Sequence, residues 1–263
     1  MLLAAVALPA QTVWQLFTES GSASSFVGSN VGKNVTVSIP ANSAVTIYTS
    51  GFDAVALALG EKYSLSFNFS STGGISGANA GNRIIGIGLF DSKGTETFTD
   101  DQGLMAWVRS DMSVELREKR LTAEDESLLK FGAYTFYNLG TGTGGSTASL
   151  ADDTNYAVST FQIDYTGSGY RFGTHATTNP GVVIEGEGFS RSLYTNPGEI
   201  TSGLTFNLFA VYFWNTSGSA VEFTISDVSL AAAAIPEPST CAAWLGLAVL
   251  GLAAWSRRMR ARR

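Results

Sequence analysis

One cysteine and one histidine in 263 residues set firm limits on this chain. Cys241 has no partner in the chain, so no intrachain disulfide forms and the fold must hold by packing. His175 stands alone, which excludes a His-based catalytic triad and a multi-His metal site. Charge is scarce, at 14% of residues, and the basic sign is the scarcer: 16 Lys and Arg against 22 Asp and Glu. Five of those 16 are the arginines at 257, 258, 260, 262 and 263, so 11 bases face 22 acids elsewhere. Such an acid excess disfavours nucleic acid and anionic lipid as partners.

Helical patterning is nearly absent as well. Only Thr122 to Lys130 reads as a helix, with a Thr cap, acids in the first turn and Lys at the end. Period-two alternation takes its place. Val35 to Ile39, Ala44 to Tyr48 and Tyr63 to Phe69 alternate apolar and polar, and Ile84 to Phe90 reads as a more buried strand. Further strands are expected over Leu104 to Arg109, Val114 to Lys119, Tyr134 to Leu139, Tyr156 to Tyr165 and Tyr170 to Phe172. Val182 to Glu187, Leu204 to Trp214 and Val221 to Leu230 complete the set. Gly, Ser, Asn and Asp clusters separate them, and Gly167-Ser168-Gly169 marks a hairpin. Short strands at such spacing over 11–230 predict an all-β domain, a sandwich or a barrel.

The two ends differ from this body. Residues 1–10 are apolar and end in small residues, the pattern of a truncated signal peptide with cleavage after about Ala10, with a first strand of the fold as the alternative. After a linker at 231–240 comes an uncharged run from Cys241 to Trp255, within an expected membrane helix at 241–256. Fifteen helical residues reach ~22 Å, short of the ~30 Å hydrocarbon core. Trp244 and Trp255 near the interfaces and snorkelling arginines make a short span feasible. The basic tail at 257–263 predicts a cytoplasmic end, with the rest of the chain outside the cytoplasm. A buried core helix is the plain alternative, but it has no reason to end in five arginines.

Pro236-Glu237-Pro238, a short apolar helix and an Arg-rich end (Arg257, Arg258, Arg260, Arg262, Arg263) resemble the PEP-CTERM sorting signal of Gram-negative bacteria. The resemblance implies an exosortase as processing partner, cleavage near the tripeptide, and release or anchoring at the cell surface. It also implies a link to exopolysaccharide and the biofilm matrix. A second resemblance lies in the body. Leu150-Ala-Asp-Asp-Thr-Asn-Tyr-Ala-Val-Ser, the hairpin from Ile163 and the closing Phe223-Thr-Ile-Ser-Asp-Val-Ser-Leu are similar to concanavalin A-like and laminin-G-like jelly rolls. That resemblance implies a jelly-roll β-sandwich, a fold that often carries glycan sites and sometimes glycosidase sites.

Chemistry is thin among the remaining residues. Glu185 and Glu187 share a strand face at ~6.5–7 Å between Cα atoms, and a retaining glycosidase needs carboxyls ~5–5.5 Å apart. Laminarinase-type members of the resembled fold carry an Asp between their two Glu, and Gly186 stands there instead. No enzymatic activity is therefore expected. Asp91, Asp100, Asp101, Asp152 and Asp153 are oxygen donors for Ca²⁺, although no calcium-loop spacing is present and paired Asp commonly cap turns. The glycine-rich 140–145 lacks the Lys of a phosphate loop. Trp107, Tyr137, Tyr170 and Trp214 are candidates for a sugar-stacking platform, with ordinary strand packing as the alternative. The expected function is an exported, non-catalytic surface or matrix protein that binds exopolysaccharide, the alternative being a structural or adhesion protein without a glycan ligand.

Overall fold

The computed structural model describes residues 6–7, 12–72, 83–93, 98–109, 114–119, 136–142, 156–166, 169–172, 182–186, 189–193 and 203–234. The strands of the first half are β1 (Val6–Ala7), β2 (Gln15–Ser20), β3 (Ser25–Phe26), β4 (Val35–Ile39), β5 (Ser43–Thr49), β6 (Val55–Ala56), β7 (Glu61–Ser71), β8 (Arg83–Asp91) and β9 (Gln102–Arg109). Those of the second half are β10 (Val114–Lys119), β11 (Phe136–Gly142), β12 (Tyr156–Thr166), β13 (Gly169–Phe172), β14 (Val182–Gly186), β15 (Phe189–Leu193), β16 (Thr205–Phe206), β17 (Leu208–Asn215) and β18 (Val221–Ala234). One 3₁₀ turn, Phe98–Asp100, precedes β9.

The strands form two large antiparallel sheets. A nine-stranded sheet runs β15-β14-β12-β7-β18-β4-β3, with β1 on β18 and β13 on β12. A seven-stranded sheet runs β11-β10-β9-β8-β17-β5-β2, and β16 and β6 make a small third sheet. Alternation decides which residues meet. In β7, Tyr63, Leu65, Phe67 and Phe69 are all buried while their neighbours are half-buried. They join Val37, Ile39, Phe161, Phe223 and Ile225 of the same sheet and Val45, Ile47, Ile85, Ile87, Phe209 and Phe213 of the other in one core. Rings bridge the sheets, Phe67 to Phe209 at 5.5 Å and Phe213 to Phe223 at 4.3 Å between centroids.

Parity breaks in the sequence mark bulges. Val158 and Phe161 both point into the core, and the β12–β7 register shifts between them. In β18 the buried positions pass from Phe223 and Ile225 to Val228 and Leu230, and Asp227 between them has φ 55°. The run expected as one strand from Leu204 to Trp214 is divided at Asn207. Its Oδ1 accepts from Ser92 N at 2.9 Å and its Nδ2 donates to Ser92 Oγ at 3.0 Å. This pinning ends β16 in one sheet and starts β17 in another.

Several expectations fall outside the described residues: the helix at 122–130, the hairpin tip at 167–168 and the membrane helix at 241–256. Among the described residues no helix is long and apolar enough to cross a membrane. Of the expected signal segment, Val6 and Ala7 pair with Leu230 and Ser229 as β1.

Asn215 closes one end of the sandwich. It is fully buried, and its Nδ2 lies 3.0 Å from Ile39 O, 2.9 Å from Pro40 O and 2.8 Å from Ser219 O. Its Oδ1 accepts from Ser217 N and Oγ at 2.9 and 2.7 Å. Asn215→Ala strands those buried groups and is expected to cost about 2–4 kcal/mol, read in guanidinium unfolding as a lower midpoint at unchanged slope.

Candidate functional site

Three of the five acids proposed as oxygen donors gather at one end of the seven-stranded sheet. Asp91 ends β8 opposite Gln102, and Lys119 ends β10 opposite Gly103. The 3₁₀ turn carries Asp100 and leads into Asp101 between them. Asp91 is buried and its carboxylate accepts from Lys93 N at 3.0 Å, Lys93 Nζ at 2.7 Å and Thr205 N at 2.9 Å. Burial alone would raise its pKa, but these bonds and the Lys93 charge outweigh it and hold the carboxyl below its ordinary value.

Asp101 has the opposite surroundings. It is fully buried, and neither carboxylate oxygen has a hydrogen-bond partner among the described residues. Burial pushes it up to about 7 against the pull of Lys119, with Asp91 and Asp100 adding to the rise. Lys119 is itself fully buried and donates from Nζ to the Phe98 carbonyl. Sequence reasoning missed Lys119, because Val114-Glu-Leu-Arg-Glu-Lys119 alternates like a strand with one solvated face.

Asp91 accepts from one ammonium and two backbone amides, and the Lys119 charge pulls against the burial of Asp101. Among the described residues no group of three or more His, Cys, Asp or Glu is placed to hold a metal. Asp152 and Asp153 lie outside the described residues.

The aromatic candidates do not share one surface. Tyr170 is in the inter-sheet core, stacked on Tyr165 at 4.6 Å, and its OH accepts from Leu204 N at 3.0 Å. Trp107 is 1% exposed, on the outer face of the seven-stranded sheet. Its ring meets Tyr212 edge-on at 4.9 Å. Gly86 lies in register with both, and a Cβ there would meet Tyr212 Cβ at 3.1 Å. Trp214 is half-buried beside the same cluster. Tyr137 lies in β11 opposite Glu118. Phe98 caps this outer layer, edge-on to Phe17 at 5.2 Å and to Tyr48 at 5.1 Å. Lys119 thus holds the turn that seats Phe98.

Glu185 lies in β14, opposite Ala157 and Ser190. Glu187 and His175 lie outside the described residues, as do Pro236, Glu237, Pro238 and the five terminal arginines.

The family model of the PEP-CTERM protein-sorting motif matches residues 234–263. The tail is a PEP-CTERM sorting signal. That signal implies export and exosortase processing from a membrane-anchored precursor. It begins on the last residue of β18. Among curated proteins no relative matches the chain.

Solved structures show the fold. Arcelin-5, a lectin-like defence protein from Phaseolus vulgaris, is similar with a TM-score of 0.50 and 6% identity, over 88% of this chain and 99% of its own. The Lotus tetragonolobus seed lectin aligns at 0.46 with 9% identity, over 90% of this chain and 100% of its own. The metal-free carbohydrate recognition domain of Emp46p aligns at 0.46 with 11% identity, over 84% and 95%. The domain ahead of the PEP-CTERM signal is an all-β sandwich resembling the legume-lectin jelly roll.

Asp101 yields a pH signature. Its folded pKa, about 7, lies above the ordinary 3.8. The folded chain therefore keeps a proton in that window that the unfolded chain releases, and stability falls as pH rises through it. Asp101→Asn removes this dependence. Thermal unfolding from about pH 4 to about pH 8 is expected to show the wild-type midpoint falling relative to the variant. A gap that does not change with pH contradicts the burial of an ionisable Asp101.

Proposed function

We propose that this chain is an exosortase-sorted protein of the cell surface or extracellular matrix, non-catalytic, whose sandwich binds exopolysaccharide. The observation that carries this reading is the PEP-CTERM motif at 234–263. The order of its parts supports one topology, in which a helix at 241–256 holds the precursor in the membrane, the arginines at 257–263 stay cytoplasmic, and the sandwich is outside. Cleavage near Pro236-Glu237-Pro238 discards the helix, much as a lipid-anchored protein loses its hydrophobic tail.

The glycan part rests on a fold shared with a lectin-like protein, which on its own supports many functions. The single histidine and the Gly between Glu185 and Glu187 favour binding over hydrolysis. A structural or adhesive role without a glycan ligand is the second reading. It is favoured by the burial of Trp107 and Tyr170, which withdraws two candidate stacking rings from solvent.

Replacing Pro236-Glu237-Pro238 by three alanines tests the sorting. The substituted chain is expected to accumulate as a membrane-held precursor that retains its tail, read by intact mass and cell fractionation. Unchanged mass and location would sink the sorting reading.

A further inference from the structure

The outer face of the nine-stranded sheet differs from that of the seven-stranded one. Over β4, β7 and β18 it is polar and half-open, and β18 is interrupted there. On one edge of β18, β4 pairs with 221–225 and β1 resumes at 229–230. Asp227 sits in the gap with φ 55°, a left-handed conformation rare for a residue other than glycine. Its N–H, which has lost a ladder partner, donates to Asn34 Oδ1 at 3.4 Å. Its Oδ2 accepts from Asn68 Nδ2 of β7 at 3.0 Å and from Ser226 Oγ at 3.2 Å. One turn of the pleat away, the Thr36 and Thr224 hydroxyls bond across β4 and β18 at 2.9 Å.

Bulges re-aim side chains, and this one brings a carboxylate out onto the face of the sheet between three strands. Asp227 is exposed, and Asn68, Thr36, Thr224 and Ser226 are half-open around it. Oδ1 takes no hydrogen bond from a described residue. Hydroxyls, a carboxamide and one carboxylate form a patch that both donates and accepts. The nearest cation on this face of β7, Lys62, lies six residues from Asn68, ~20 Å along the strand. A polyanion would find one ammonium, Lys33 beside Asn34, set against the exposed carboxylates of Asp227 and Glu222 in an acidic chain. The patch's mix of donors and acceptors suits the hydroxyls of an uncharged sugar chain.

We infer that the Asp227 bulge, with Asn68, Ser226, Thr36 and Thr224, is a contact site for a neutral, extended glycan. The inference rests on the glycan reading above and moves its contact surface from the candidate aromatic residues to this face.

The test is binding of the full chain, in detergent, to immobilised dextran, galactomannan and xyloglucan, with alginate as the polyanion. Asp227→Gly removes the carboxylate and suits the backbone conformation, and Thr224→Val removes a hydroxyl without changing shape. Each should keep the wild-type unfolding midpoint and raise the half-saturating glycan concentration, by about ten-fold for Asp227→Gly. Neutral-glycan binding untouched by both variants overturns the inference and leaves the glycan reading standing. Binding to alginate alone also overturns it. No binding to any of the four overturns the glycan reading and the inference with it.

Discussion

The structure depends on one shared aromatic seam. Phe67 and Phe209 meet across the sheets, Phe213 and Phe223 meet beside them, and Trp14 lies edge-on to Phe209 at 5.8 Å. With no disulfide available, closing the two sheets on each other is the main source of stability. Fully burying one such ring contributes roughly 1.5–3 kcal/mol, so the loss of two contacts consumes much of a domain's margin. β17 and β18 each carry rings of this seam, and they occupy the interiors of opposite sheets. The last strand of the domain is therefore a central one.

That position constrains the sorting signal. The PEP-CTERM motif starts at residue 234, where β18 ends. A cut near Pro236 spares the whole strand, whereas a cut a few residues earlier would shorten it. The core residues of β18 stop at Leu230, so the interval from 231 to 235 separates what must stay from what can leave.

Much of the fold was legible because burial has period two. β4 and β10 match their expected bounds, and β5, β7, β8 and β12 extend them by one or two residues at an end. The bulges were not foreseen: Tyr156 to Tyr165 and Val221 to Leu230 were expected as unbroken strands, although apolar positions change parity at 158–161 and at 225–228. Strands without that signal were missed. β3 and β6 have two residues each, and β2 ends in polar Thr18, Glu19 and Ser20. The site was less legible than the fold. Lys119 and Asp101 look like solvated residues in sequence, and only the third dimension buries both. Asn68 and Asp227 meet across 159 residues, a pairing no local pattern encodes. Trp107 and Tyr170 carry the sequence signature of either a platform or a core, and burial assigns them to packing.

The central claim is that the PEP-CTERM tail is an address and that the sandwich is complete without it. Urea unfolding of the full chain and of a chain ending at Ala234 tests this directly. The account predicts the same midpoint and the same slope for the sandwich in both, because the inter-sheet core found among the described residues ends at Leu230. A clearly lower midpoint for the shortened chain would contradict it.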